Sequence, residues 1–460
     1  MANSTNPIES PAADSPYELL LRAALLTPIT HYLLILYLIL IVFIYNFLEI
    51  HFLRDLFSGF RGQPVTLTFN PSSQLYNDVV SKCTVLHGRY LSTPWLCSPH
   101  LQTSFLHYFG NSPVVNYRRE VFMASDGGTI ALDWVINAEV QCGDTSPIMI
   151  IIPGLASASD SAYVKHLAFK MAKGGYNVVV SNHRGLGGVP ITSDRFYTAD
   201  RTDDLRALVD HIHRQYPEAP IFAVGTSVGA NILVKYLGED GVDAPIIGAA
   251  AICSPWDSLI VDRFLRRRFV QRLYNKALTA GLKDYANWHK DVLSRLSNWE
   301  GVKQARSVRE FDDAATRFLA NCETVDAYYR QCSSCKNVEG VRVPLLCISS
   351  LDDPICTSEA IPWDECRLNN NVVLATTQHG GHLPYFEGFT AKSVWWVRAV
   401  DEFFTTLSLQ KKEITVSFIN PIQTSDGQSP LTNVTENGTV PTQGQNGNIG
   451  IRHRPEREIE

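Results

Sequence analysis

The sequence predicts an α/β protein: a mostly parallel, doubly wound sheet with a helical insertion, preceded by one apolar helix of membrane length. Three observations carry that expectation. Short apolar runs recur at 147–152 (PIMIII), 177–181 (NVVVS), 220–224 (PIFAV), 246–252 (IIGAAAI), 343–349 (VPLLCIS) and 371–376 (NVVLAT), the composition of strands buried on both faces. Amphipathic stretches such as AYVKHLAFKMAKGG and TDDLRALVDHIHRQYP separate them, and strands alternating with helices build βαβ units. Finally, residues 29–48 read ITHYLLILYLILIVFIYNFL with no Asp, Glu, Lys or Arg; twenty residues at about 1.5 Å each match the hydrocarbon thickness of a bilayer.

Taken in order, residues 1–28 form an N-terminal tail and 29–48 the transmembrane anchor. The anchor follows Glu9, Asp14 and Glu18 rather than a basic start, and its run exceeds that of a cleaved signal peptide. A core helix would keep a polar stripe that this one lacks. Its orientation stays open, because Arg22 on one side and Arg54 and Arg61 on the other give too small a bias. Residues 49–118 link to the main domain, 119–409. That domain begins with a hairpin, REVFMAS and TIALDWVI, around Asp126-Gly127-Gly128, whose chemistry suits a tight turn. The alternation fails once, at about 256–342, a long helical stretch without a clear strand. In such a sheet an insertion there rises beside the carboxyl ends of the strands, where ligands bind, and it is read as a lid. Residues 410–460 are polar and rich in Gly, Asn, Gln, Thr and Pro, with too little to bury, and are read as a disordered tail. The sequons, at Asn3, Asn433 and Asn437, all fall in the tails.

Composition excludes some classes. The chain of 460 residues is 45% hydrophobic and 19% charged with net charge −6, which supports a large core and gives no global reason for a nucleic-acid partner. Of ten cysteines, Cys332 and Cys335 form a CxxC. No second pair completes a zinc site, so two ordinary thiols or a local disulfide is expected, and no metal or cofactor.

The chemical signal is Gly225-Thr226-Ser227-Val228-Gly229, between the run IFAV and the helical pattern ANILVKYLGE. At a strand–turn–helix junction this is a nucleophile elbow: small flanking residues permit a turn that exposes the serine hydroxyl and points the next N–H the same way. A serine hydroxyl needs a base, and the fold's order is serine, acid, histidine. Asp352 and Asp353 follow the strand LLCIS; His379 and His382 follow the next. Asp353, directly before Pro354, is preferred as the acid, with Asp352 a turn residue. His382, behind two glycines, is preferred over His379. The second oxyanion donor beside the Val228 N–H is assigned to the Leu155 N–H, in the loop Pro153-Gly154-Leu155 after IMIII.

Over roughly residues 85–405 the chain resembles the α/β-hydrolase branch that includes bacterial YheT and the plant embryogenesis-associated proteins, with animal members that are membrane-anchored lipid hydrolases. HLQT (100–103), PGL (153–155), NHRG (182–185), the elbow, NILVKYLGE (231–239), the DDP of 352–354 and GGHLPYFEG (380–388) carry the resemblance. It implies a triad of Ser227, Asp353 and His382. The chain departs from the branch at Ser157, Ala230 and Pro384, none of which removes a catalytic group. The resemblance implies a lipid ester substrate, phospholipid or acylglycerol, and an endomembrane location such as the endoplasmic reticulum. A basic stretch within the lid, 257–278, carries Arg263, Arg266, Arg267, Arg268 and Arg272; it is read either as a helix lying on anionic headgroups or as an ordinary lid helix with a solvated face. A hydrolase-fold binding protein or receptor without activity, or a lipid acyltransferase, are the alternatives, and protein partners are unassigned.

Overall fold

Each of the apolar runs becomes a strand of one sheet in the computed structural model, which describes residues 15–136 and 143–419. In chain order the sheet strands are β1 (Thr66–Phe69), β2 (Tyr117–Met123), β3 (Thr129–Val135), β4 (Ile148–Ile152), β5 (Asn177–Ser181), β6 (Ile221–Thr226), β7 (Gly248–Ile252), β8 (Leu345–Ser350) and β9 (Val372–Thr377). Their spatial order is β1-β9-β8-β7-β6-β4-β5-β3-β2. The six from β9 to β5 run parallel, while β2, β3 and β1 are antiparallel to their neighbours. The chain reverses direction across the sheet between β4 and β6, so the loops after these strands open a crevice at their carboxyl ends.

Period-two alternation divides the core between two faces. Met149, Ile151 and Phe222 pack with Leu167 and Met171 of helix Ala162–Lys173 and with Trp396, Phe403 and Phe404 of the final helix. Ile148, Ile150 and Ala223 face the other way, onto Leu208 and Ile212 of helix Asp203–Gln215 and Leu233 and Leu237 of helix Val228–Asp240. This is the doubly wound arrangement expected.

The lid interval is helical between Ser258 and Cys332 and has a small core of its own, including Leu282, Tyr285, Leu293 and Phe311. Two bonds hold it to the NHRG loop. The Tyr285 hydroxyl donates to the Arg184 carbonyl at 3.0 Å, and His289 Nε2 lies 2.7 Å from the Gly185 carbonyl. Arg184 is itself fixed by bidentate contacts to Asp126 and Asp204.

Several boundaries differ from expectation. The basic stretch is two helices, Ser258–Arg267 and Phe269–Trp288, because Arg268 is extended at φ −109° and ψ 161°. Residues 49–118 are more than a connection: they supply edge strand β1, paired antiparallel with β9, and helix Pro99–Tyr108. The final helix, Trp395–Ile419, runs past the expected end of the folded region at Leu409. Cys332 and Cys335 are separate thiols rather than a disulfide. Asn3, Asn433 and Asn437 lie outside the described residues.

The apolar segment is a helix, Ile29–Phe47, of mean hydropathy 2.1, none of it buried against the rest of the chain. By length and composition it can cross a membrane. The chain divides into two units, Met1–Glu413 and Ile414–Glu460, and the sheet, the lid and this helix belong to the first.

Candidate active site

Ser227 stands where β6 ends and helix Val228–Asp240 begins, with φ 52° and ψ −121°, a conformation that side-chain-bearing residues rarely adopt. The glycines of the elbow are required by space. A Cβ on Gly229 would sit 2.2 Å from the Ile152 carbonyl oxygen, and one on Gly225 would sit 2.5 Å from that of Gly229. Ala230, where the related pattern has glycine, is fully buried. The Ser227 N–H is spent on the Ile252 carbonyl at 2.8 Å, which ties the turn to β7 and leaves the hydroxyl facing the crevice.

The sequence-predicted partners meet there. His382 Nε2 lies 3.1 Å from Ser227 Oγ, and His382 Nδ1 lies 2.8 Å from Asp353 Oδ2. The other Asp353 oxygen accepts the N–H groups of Ile355 and Cys356, both at 2.8 Å. Asp353 is 4% exposed, so its position is set from both ends and its acceptor faces the imidazole. Asp352 takes a different part: Oδ2 meets His379 Nδ1 at 3.1 Å and Oδ1 accepts the Gly381 N–H at 3.0 Å. The two ambiguities thus separate into two Asp–His pairs, of which the pair of Asp353 and His382 reaches the serine.

Leu155 and Val228 line the same cavity as Ser227 and His382, and neither backbone N–H is committed to another acceptor among the described hydrogen bonds. Ala156, next to Leu155, has φ 51°. The loop is held from below. His183 of NHRG reaches the Pro153 carbonyl through Nε2 at 2.8 Å and stacks on Tyr197 with ring centroids 3.9 Å apart. Desolvation in this half-buried position pushes the His183 imidazole down to about 4; neutral near pH 7, it donates from Nε2. The Tyr163 hydroxyl accepts the Gly154 N–H at 2.9 Å.

Sequence reasoning missed the clamp on the histidine loop. Thr103 Oγ1 accepts the His382 N–H at 3.0 Å while donating to the Pro99 carbonyl at 2.7 Å. Gln102 Oε1 accepts the Phe386 N–H at 3.2 Å and the Tyr90 hydroxyl at 3.1 Å. A Cβ on Gly381 would fall 2.8 Å from Thr103 Oγ1, so the close approach of the two segments needs that glycine. HLQT and GGHLPYFEG, two of the motifs that carry the resemblance, are therefore mutual partners. Their joint presence was the available signal.

Among the described residues, two clusters place three metal-ligating side chains within reach of one another: His51, Asp352 and His379, and Cys253, Asp353 and His382. Neither donor set suits a cation. In both, the carboxylate already accepts an imidazole and at least one backbone N–H. The His51 and His379 rings lie face to face, 3.7 Å apart and 10° from parallel, so their in-plane lone pairs do not converge on one point.

Above the serine lies a cavity of about 1150 Å³ under the lid, larger than the few hundred to about 1,000 Å³ of ordinary small-molecule pockets. Leu186, Phe196, Leu265, Leu282 and Phe311 give it apolar walls.

The comparisons agree with this architecture. A family model described as serine aminopeptidase, S33, matches residues 143–387, from before β4 through the histidine loop. The chain is 36% identical over 381 residues to "Embryogenesis-associated protein EMB8" of Picea glauca, covering 78% of this chain and 83% of that one. It is 33% identical over 325 residues to "Phospholipase ABHD3" of Homo sapiens, covering 70% and 80%. It is 29% identical over 392 residues to "Monoacylglycerol lipase ABHD2" of Danio rerio, covering 81% and 89%.

Proposed function

This chain is a member of the α/β-hydrolase family, in the branch of the embryogenesis-associated and ABHD3 proteins, and from that premise we propose that it is a membrane-anchored serine hydrolase cleaving carboxylic esters of lipids, phospholipid or acylglycerol. The observation that carries the reading is the unbroken relay from Asp353 through His382 to Ser227, at 2.8 and 3.1 Å, on the floor of a large apolar cavity. Two relatives are named for a phospholipase and a monoacylglycerol lipase, and helix Ile29–Phe47 would hold the catalytic domain at its substrate.

The mechanism follows from the geometry. His382 Nε2 takes the Ser227 proton as Oγ attacks the ester carbonyl carbon. Asp353 holds the proton on Nδ1, so that Nε2 is the acceptor, and stabilises the imidazolium without itself taking the proton. The N–H groups of Leu155 and Val228 bind the carbonyl oxygen as it becomes an oxyanion. Collapse of the tetrahedral intermediate breaks the C–O bond, and the imidazolium protonates the departing alcohol. Water, deprotonated by the same imidazole, then adds to the acyl-enzyme and releases the fatty acid and free Ser227.

The test is labelling of the full chain in membranes by a fluorophosphonate probe, with Ser227→Ala as control. Labelling of the wild type and none of the variant, together with fatty-acid release from phosphatidylcholine or monoacylglycerol by the wild type alone, is the expected result. A folded wild type that never labels would sink the proposal and favour a lipid-binding role.

A further inference from the structure

The end of the apolar helix is part of the wall of the substrate cavity. Phe47, its last residue, and Leu48 line the same space as Ser227 and His382. The Phe47 ring meets that of Phe269, at the start of lid helix Phe269–Trp288, with centroids 6.2 Å apart. Nothing in this junction is a slack tether. The Ser98 hydroxyl donates to the Leu48 carbonyl, the His51 N–H donates to the Cys97 carbonyl at 2.9 Å, and Arg268 pairs with Glu49 at 3.3 Å.

The side chains around this end are apolar and face outward. Leu273, one turn along the same helix from Phe269, lines the cavity yet is 47% exposed, which places it at the mouth. Phe269 is 63% exposed. Large outward-facing apolar clusters of this kind mark binding surfaces rather than ordinary solvated ones. The occupant follows from continuity: the cluster is joined to a helix of mean hydropathy 2.1 with no buried residue, and whatever solvates that helix reaches the mouth next. Of the arginines nearby, Arg266, Arg267 and Arg268 are already paired with Asp262, Glu359 and Glu49. Three of the five arginines in 257–278 are thus engaged within the protein, and the apolar side chains are the contact this face offers the lipid interior.

We propose that Phe47, Phe269 and Leu273 form a portal seated in the lipid surface at the end of the anchor, through which an acyl chain passes sideways from the leaflet to Ser227. The inference rests on the lipid-hydrolase reading above and adds the route of the substrate. A lipid taking this path keeps its hydrocarbon in apolar surroundings throughout. Crossing water would instead expose every methylene of that chain to solvent.

The experiment uses the full chain reconstituted in phosphatidylcholine vesicles, comparing the wild type with Phe269→Glu. Phe269 lies outside the triad and the cavity lining, and an acidic residue suits the first turn of a helix, so the variant should fold. Hydrolysis of the vesicle phospholipid is expected to fall by about tenfold or more, the effect of placing a charge in an apolar interface. Hydrolysis of p-nitrophenyl butyrate, which enters from water, should stay within about twofold. Equal rates on vesicle phospholipid would overturn the portal. A second readout needs no turnover: in Ser227→Ala, a phospholipid with a photoreactive acyl chain should crosslink to peptides containing Phe269 and Leu273. Crosslinks confined to 29–46 would overturn the proposal. Crosslinks at the mouth in a protein inert towards the soluble ester would keep the portal while ending the hydrolase reading.

Discussion

At the scale of single residues, the adjacent carboxylates Asp352 and Asp353 are separated by what each must accept. Asp353 accepts hydrogen bonds from His382 Nδ1–H and from two backbone N–H groups. An asparagine there presents an amide that cannot hold the same tautomer, so Asp353→Asn is expected to lower kcat by about 10⁴ while leaving KM nearly unchanged. Asparagine at 352 retains an oxygen for the Gly381 N–H and weakens only the contact with His379, so Asp352→Asn should cost no more than about tenfold. Steady-state kinetics of the two variants on a soluble ester decide the matter, and equal losses would refute the assignment. The sequence preferred Asp353 from its place directly before Pro354, and the geometry sets that aspartate against His382. The clamp from Thr103 and Gln102 was not legible. These residues lie 279 and 284 positions from their partners, and no local pattern encodes a contact over that distance.

Among the elements, strands buried on both faces announce themselves by composition, which is why β4 to β9 were legible almost to the residue. Strand β1 was not. TLTF is short, half polar and only partly buried, and its identity comes from the pairing of Phe69 with Val373. The lid shows the same division: its helicity was legible, but the break at Arg268 and the internal bonds were not. One of those bonds titrates. Asp312 accepts the Thr316 hydroxyl at 2.6 Å and the Tyr329 hydroxyl at 2.8 Å inside the lid, and complete burial raises its carboxyl from 3.8 to about 6. The folded state therefore holds this proton more tightly than the unfolded chain. The contribution is fully present below about pH 4 and is lost as pH rises through about 6, by on the order of 3 kcal/mol. Asp312→Asn should abolish that loss. Thermal melts between pH 4 and 7 are expected to show the wild type falling relative to the variant across this window; parallel curves would contradict the assignment.

For the whole molecule, the question is how far the segment before the sheet belongs to the enzyme. The sequence divides it by hydropathy, anchor to 48 and connection from 49, whereas the packing draws the line by burial. None of residues 15–46 is buried, but His51 and Asp55 are. His51 Nδ1 meets Asp55 at 2.6 Å, and its ring lies against His379, in the loop that carries His382. The face-to-face rings connect the chain emerging from the apolar helix to the loop of His382, with Asp55 and Asp352 meeting the Nδ1 atoms of the two rings. A chain lacking residues 15–46 should therefore melt within about 2 °C of the full chain in detergent, since it gives up no core. Extending the deletion to Asp55 removes a buried hydrogen-bonded pair and one face of the His379 contact. That loss should cost about 1–3 kcal/mol and slow fluorophosphonate labelling of Ser227, because the loop bearing its base is less firmly held. Melting curves and labelling rates of the two deletions provide the check. If the longer deletion labels as fast as the shorter, the segment after the helix is a connector and the catalytic loop is organised by HLQT and Asp352 alone.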